Sequence, residues 1–101
     1  WVKVLENMNK LFICNQSQNR SPTAAKLLGG KFTSLYNDEN RLTEELLKEA
    51  DVVYVFEEIQ REEIGNRFPE QYIKKKIINL DIQDIYQYNQ PELIKELLEA
   101  F

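Results

Sequence analysis

The stretch "LFICNQSQNRSPTAAKLLGG", Leu11–Gly30, decides how the rest of the chain is read. "LFIC" is short and continuously apolar, as expected of a strand buried on both faces, so Lys10–Cys14 reads as that strand. Five polar residues follow, then Arg20, Ser21 and Pro22. Ser21 can cap a helix with Pro22 at its first position. Ala24, Leu27 and Leu28 share one face of that helix, and Gly29-Gly30 end it. The only cysteine of the chain, Cys14, thus stands at the mouth of a strand, six residues before an arginine.

Working outward, strand and helix signals alternate. Lys31–Tyr36 reads as a weaker edge strand. Thr43 caps a second helix with an acidic first turn, Glu44-Glu45, and with Leu46, Leu47 and Ala50 facing inward. "DVVYVF", Asp51–Phe56, is β-branched and aromatic and reads as a strand. Glu57–Asn66 reads as a solvated helix with Pro69 beyond its end, and Lys76–Leu80 as a fourth strand. In Pro91–Phe101 the residues Ile94, Leu97, Leu98 and Phe101 repeat at helical spacing. Such alternation predicts an α/β fold, a small doubly wound sheet of four parallel strands with helices on both faces. Ligands of such sheets bind beyond the carboxyl ends of the strands, and here the first βα loop starts at Cys14.

The bulk numbers narrow the function. A chain of 101 residues reads as one domain, 43% hydrophobic and 30% charged. Met8 precedes the first strong strand, so residues 1–9 read as an upstream extension, native or left from cloning. One cysteine cannot form an internal disulfide. Without histidine there is little material for a zinc site, so no metal or cofactor is expected. A reducing, cytoplasmic setting follows from the cysteine usage. No secretory signal pattern and no membrane-spanning run is seen, so no membrane partner is expected. The net charge of −4 argues against nucleic acid as a partner. Lys74-Lys75-Lys76, the one basic cluster, reads as a solvated loop face.

The chemistry of the loop is more specific. Consecutive backbone N–H groups leading into a helix N-terminus form an anion-binding nest. Asn15, Gln16, Ser17, Gln18, Asn19, Arg20 and Ser21 are therefore the expected phosphate-binding residues. Arg20 adds a planar fork suited to two phosphate oxygens. Positive potential from the helix end and Arg20 favours the thiolate of Cys14, and the Ser21 hydroxyl can donate to it. A lone cysteine at a strand end is most often a small buried hydrophobe. Arginine, serine and proline at fixed offsets behind it, between a strand and a helix, favour the chemical reading. A nucleophile under an oxyanion cradle is equipment for in-line phosphoryl transfer to sulfur.

"CNQSQNRSPTAA" resembles the C-x5-R-S loop (P-loop) of low-molecular-weight protein tyrosine phosphatases. "LTEELLKEADVVYVFE" and "INLDIQDIYQYNQPELIKELL" are similar to the second helix, third strand, acid loop and last helix of a short bacterial branch of that family. The resemblance covers most of Lys10–Phe101. It implies a flavodoxin-like sheet of strand order 2-1-3-4 and a hydrolase that forms phosphocysteine on Cys14 without a metal. Its partners would be a phosphorylated protein or small aryl phosphate, with inorganic phosphate or another oxyanion in the loop. The pattern "DIQD" followed by an aromatic residue assigns Asp84 as general acid, with Asp81 the other choice. Tyr86 then falls where an aryl substrate would be stacked, and Tyr88 can do the same. Larger relatives carry glycine and asparagine where Gln16 and Ser17 stand. The tight turns fall to Asn15, Asn19 or Ser17, of which asparagine best tolerates left-handed angles. A second loop cysteine of many relatives is replaced by Asn19, and the Asp-Pro acid motif by Asp84-Ile85. An arsenate reductase using an external thiol, or a catalytically weak phosphate-binding module, would share these features. A sugar phosphotransfer subunit would lack the arginine.

Overall fold

A computed structural model describes residues 8–101; of the expected extension over residues 1–9, residues 1–7 lie outside them. β1 (Lys10–Cys14) pairs in parallel with β2 (Lys31–Ser34) and β3 (Val52–Val55), and β3 pairs with β4 (Ile77–Asn79). The order is β2-β1-β3-β4, as the resemblance implied. Leu11 lies opposite both Lys31 and Val53, so the central strand is in register with its two neighbours. The crossovers carry α1 (Arg20–Leu28), α2 (Glu44–Glu49), α3 (Glu58–Arg67) and α4 (Pro69–Lys74), and α5 (Pro91–Ala100) closes the chain.

Side-chain alternation along β1 divides the core between two faces. Leu11 and Ile13 pack with Val53, Val55, Leu47 and Ile64 on the face covered by α2 and α3. Phe12 and Cys14 pack with Ala24, Phe56, Leu93 and Leu97 on the face covered by α1 and α5. Both faces being buried explains why "LFIC" is apolar without alternation. Cys14 thereby ends a strand held from both sides.

Local rules account for most boundaries. Thr43 caps α2 by accepting the Leu46 N–H at 3.2 Å. Gly29 ends α1 at φ 79°, where a side chain would be strained. Gly30 has φ 130°, and a Cβ there would meet the Lys10 carbonyl oxygen at 2.7 Å. Asn9 is tied to the end of α2 and to β3. Its N–H donates to Asp51 Oδ2 at 2.7 Å, and its carbonyl accepts the Asp51 N–H at 2.8 Å.

Three sequence readings are corrected and one is extended. Ser21 does not cap α1: the helix starts two residues earlier, at Arg20 after Asn19, and Ser21 turns its hydroxyl toward Cys14 instead. β2 stops at Ser34 because its hydroxyl folds the chain back, donating to the Asn40 carbonyl at 2.7 Å and accepting the Asn37 N–H at 3.0 Å. Pro69 lies beyond the end of α3, as expected, and there it opens a further helix, α4, where the missing N–H costs nothing. The lysine cluster is not simply a solvated loop. Lys74 ends α4 paired to Glu70, and Lys75 donates to the carbonyls of Lys48 and Ala50, both at 2.8 Å, closing the end of α2.

α5 is also rotated from the expected face. Leu93 and Leu97, an i, i+4 pair, are fully buried, whereas Leu98 is 59% exposed. Phe101 instead leans on the Tyr54 ring, with centroids 5.0 Å apart, and Tyr54 in turn stacks on Phe12 at 5.1 Å. Among the described residues no helix is long and apolar enough to cross a membrane.

Candidate active site

The loop after β1 wraps over the Cys14 thiol. Cys14 is buried, and its Sγ accepts the Ser17 N–H at 3.2 Å and shares a hydrogen bond with Ser21 Oγ at 3.0 Å. Ser17 Oγ lies 2.9 Å from Ser21 Oγ and completes a chain of hydroxyls beneath the sulfur. Ser17 takes the left-handed turn of the loop, at φ 56°; neither Asn15 nor Asn19 does. Serine carries a cost of roughly 1–2 kcal/mol in this conformation. The bonds of its N–H and hydroxyl offset that cost.

Arg20 is the largest fully buried side chain, 1% exposed, at the first position of α1. Its Nη1 donates to the Ile82 carbonyl at 2.8 Å and to Glu57 Oε2 at 3.1 Å, and the guanidinium lies 5.5 Å from the centre of the Phe56 ring. A buried guanidinium needs such partners. Its Nε lies 3.6 Å from Asp84 Oδ1.

Cys14, Arg20 and Asp84 line one cavity of about 70 Å³, together with Asn15, Gln16, Gln18 and Asn19 of the loop. Ser17 and Ser21 do not line it; they act from below, on the sulfur. Asp84 is 55% exposed at the mouth. Asp81 is elsewhere. It takes a left-handed turn at φ 56°, its N–H donates to Asn79 Oδ1 at 2.9 Å, and its side chain lines a separate hollow with Tyr86 and Glu96. Tyr86 packs against the face of the core that holds Phe12 and Leu93, and is not among the residues around the Cys14 cavity. Packing against the sheet outcompetes exposure for a ring whose neighbour Ile82 is buried. Tyr88 is half-exposed in an adjoining groove, with Lys26 Nζ over its ring at 5.8 Å from the centroid.

Glu57 and Gln60 were not singled out in the sequence. Glu57 is the first residue of the β3–α3 crossover after Phe56, and the carboxyl end of a central strand was the available signal. Gln60 is buried and caps α3 reciprocally with Glu57. No group of acidic, cysteine or histidine side chains among the described residues could hold a metal ion. A larger hollow of about 260 Å³, between Met8, Leu46 and Ala50 at the opposite ends of the strands, is lined by no cysteine, serine or threonine.

No family model and no curated protein matches this sequence. Solved structures match it by shape. Wzb, a tyrosine phosphatase from Escherichia coli K30 in complex with phosphate, is 20% identical at TM-score 0.71, over 91% of each chain. The YwlE arginine phosphatase from Geobacillus stearothermophilus is 23% identical at TM-score 0.62, over 92% of this chain and 82% of that one. A low-molecular-weight protein tyrosine phosphatase from T. tengcongensis is 22% identical at TM-score 0.69, over 93% and 92%. The sheet order and the crossovers are thus those of a known architecture, and this chain has the fold of the low-molecular-weight protein tyrosine phosphatases.

Proposed function

We propose that this chain is a cysteine-dependent phosphatase acting on phosphomonoesters, with Cys14 as nucleophile, Arg20 and the loop N–H groups as oxyanion cradle, and Asp84 as general acid. The observation that carries this reading is the convergence of all three side chains on one cavity of about 70 Å³. A water occupies about 30 Å³ in the liquid, so the space suits a small tetrahedral oxyanion.

In the first step the Cys14 sulfur attacks phosphorus while the bond to the leaving oxygen breaks, and the Asp84 carboxyl gives that oxygen its proton. In the second step water attacks the phosphocysteine, Asp84 takes the proton, and the thiolate departs with release of phosphate. Arg20 has committed Nη1 to Glu57 and Ile82. The fork left for the anion is the Nε–Nη2 edge, and the charge it meets grows in the transition state. The free thiol required here suits a reducing, cytoplasmic compartment.

Phosphotyrosine or another aryl phosphate is the substrate favoured by the sequence resemblance and by the tyrosine phosphatases of the same fold. A second reading is phosphoarginine. The residues around the cavity are amides and a carboxylate, with no aromatic ring, and an arginine phosphatase shares the fold. The test is hydrolysis of p-nitrophenyl phosphate in the presence of a metal chelator, followed by kcat/KM for peptides carrying phosphotyrosine or phosphoarginine. Absence of any turnover would sink the phosphatase reading; a preference for phosphoarginine would replace the first substrate with the second.

A further inference from the structure

We propose that Gln60 is a positioning residue, an amide clamp that sets the shape of the glycine-free anion loop and the aim of Arg20 together. This rests on the reading of the loop as an oxyanion cradle.

Gln60 is 1% exposed, and each end of its amide is engaged. Oε1 accepts the N–H groups of Phe56 at 2.7 Å and Glu57 at 3.1 Å. Nε2 donates to Asn15 Oδ1 at 3.1 Å and lies 3.5 Å from Glu57 Oε2. That same Glu57 oxygen accepts Arg20 Nη1 at 3.1 Å. Reversing the amide would face its N–H groups against those of Phe56 and Glu57, so only one orientation satisfies the site. One buried side chain therefore touches the first residue of the loop, 45 positions away, and the carboxylate that holds the arginine.

The loop needs such a hold. Glycine is the usual residue where backbone N–H groups must crowd around an anion, and none lies between Cys14 and Ser21. Asn15 is held on its other side as well, since its carbonyl accepts the Tyr36 N–H at 3.0 Å, and Asn37 Nδ2 donates to the Gln16 carbonyl at 3.1 Å. Shape that glycine would permit is here imposed from neighbouring elements.

The test measures binding of inorganic phosphate, as protection of Cys14 from iodoacetate, in the full chain. Gln60→Glu keeps an acceptor for the Phe56 and Glu57 N–H groups but loses the donor to Asn15. Asn15→Leu loses the acceptor and leaves the α3 cap intact. Each variant is expected to bind phosphate about 10-fold more weakly, the scale of one hydrogen bond. The double variant should be no weaker than Gln60→Glu alone. Repulsion by the new carboxylate would instead add to the loss in Asn15→Leu, so additive losses overturn the clamp. Unchanged phosphate affinity in Asn15→Leu also overturns it, and that variant decides the matter if Gln60→Glu does not fold. A purely capping role would lower the melting temperature of Gln60 variants and leave phosphate affinity in Asn15→Leu unmoved. Failure of the unsubstituted protein to bind phosphate would remove the cradle and the clamp together, whereas binding that ignores both substitutions removes the clamp alone.

Discussion

The hydroxyl of Thr23 accepts the N–H of Asn89 at 2.8 Å and donates to the carbonyl of Asn19 at 2.6 Å. Thr23 is fully buried, so this one group joins the segment that follows Asp84 to the residue that precedes Arg20. Removing the hydroxyl without changing shape, as Thr23→Val, should loosen Asp84 relative to the sulfur. We expect up to about a 10-fold loss of kcat for phenyl phosphate, the scale of one hydrogen bond. The loss should be smaller for p-nitrophenyl phosphate, and Thr23→Ser should restore the rate. Equal losses for the two substrates would mean that Thr23 supports the fold and not the acid.

The nucleophile and the cradle separate in binding experiments. Cys14→Ser should abolish turnover while phosphate or vanadate binding stays measurable. Arg20→Lys keeps the charge but not the fork, and should lose about 10²–10³-fold in kcat, the range for removing an oxyanion donor. Turnover by Cys14→Ser at the original rate would end the covalent mechanism. Arg20→Ala should bind phosphate poorly and also melt lower, because it leaves the Ile82 carbonyl without its donor and the Phe56 ring without the guanidinium over it.

Much of this site was legible because its parts are local. Cys14, Arg20 and Ser21 lie within one loop and one helix start, and strand and cap rules place them together. Asp84 was reached through resemblance, and the structure brings it to the same cavity. Glu57 and Gln60 were not legible, since their partners Arg20 and Asn15 lie 37 and 45 positions away. The place of Glu57 after a central strand was the one signal, and nothing local marks Gln60 off from surface residues of a polar helix. The left-handed turn went to Ser17 and not to an asparagine because two hydrogen bonds at Cys14 and Ser21 outweigh intrinsic preference. Likewise the buried face of α5 is set by where the sheet lies beneath it, and hydrophobic spacing alone fits two neighbouring faces.

Gly30 reports on the join between α1 and β2. Its φ is 130°, and the Lys10 carbonyl oxygen lies 2.7 Å from where a Cβ would stand, which leaves no room for a side chain. Gly30→Ala should destabilise the fold by more than about 1 kcal/mol, read from urea midpoints. Gly29→Ala meets no atom within 4 Å and carries only the strain of φ 79°, so it should cost less. A reversed order would place the strain elsewhere.

Burial against Phe12 and Phe101 raises the Tyr54 phenol above its ordinary value. The folded chain then keeps this proton at a pH where the unfolded chain has lost it. Its contribution is full below about pH 10, the unfolded value, and is lost as pH rises through the higher folded value. Urea midpoints of the protein should therefore fall more steeply above about pH 10 than those of Tyr54→Phe. Parallel curves would show that the phenol ionises freely in the folded state.

The assignment of the proton donor rests on where two aspartates point. Asp84 shares the cavity with Cys14 and stands 3.6 Å from Arg20 Nε, whereas Asp81 shapes a turn and faces Glu96 across another hollow. A general acid matters most when the departing oxygen is a poor leaving group, because negative charge then builds on it in the transition state. Asp84→Asn should slow phenyl and alkyl phosphates by about 10²–10⁴-fold and p-nitrophenyl phosphate far less. Asp81→Asn keeps a residue that tolerates the left-handed turn and should show no dependence on the leaving group. Rates for both variants across a series of phenyl phosphates decide between them. A steep dependence in Asp81→Asn alone would move the role to that residue. Its absence from both would mean that neither carboxylate delivers the proton.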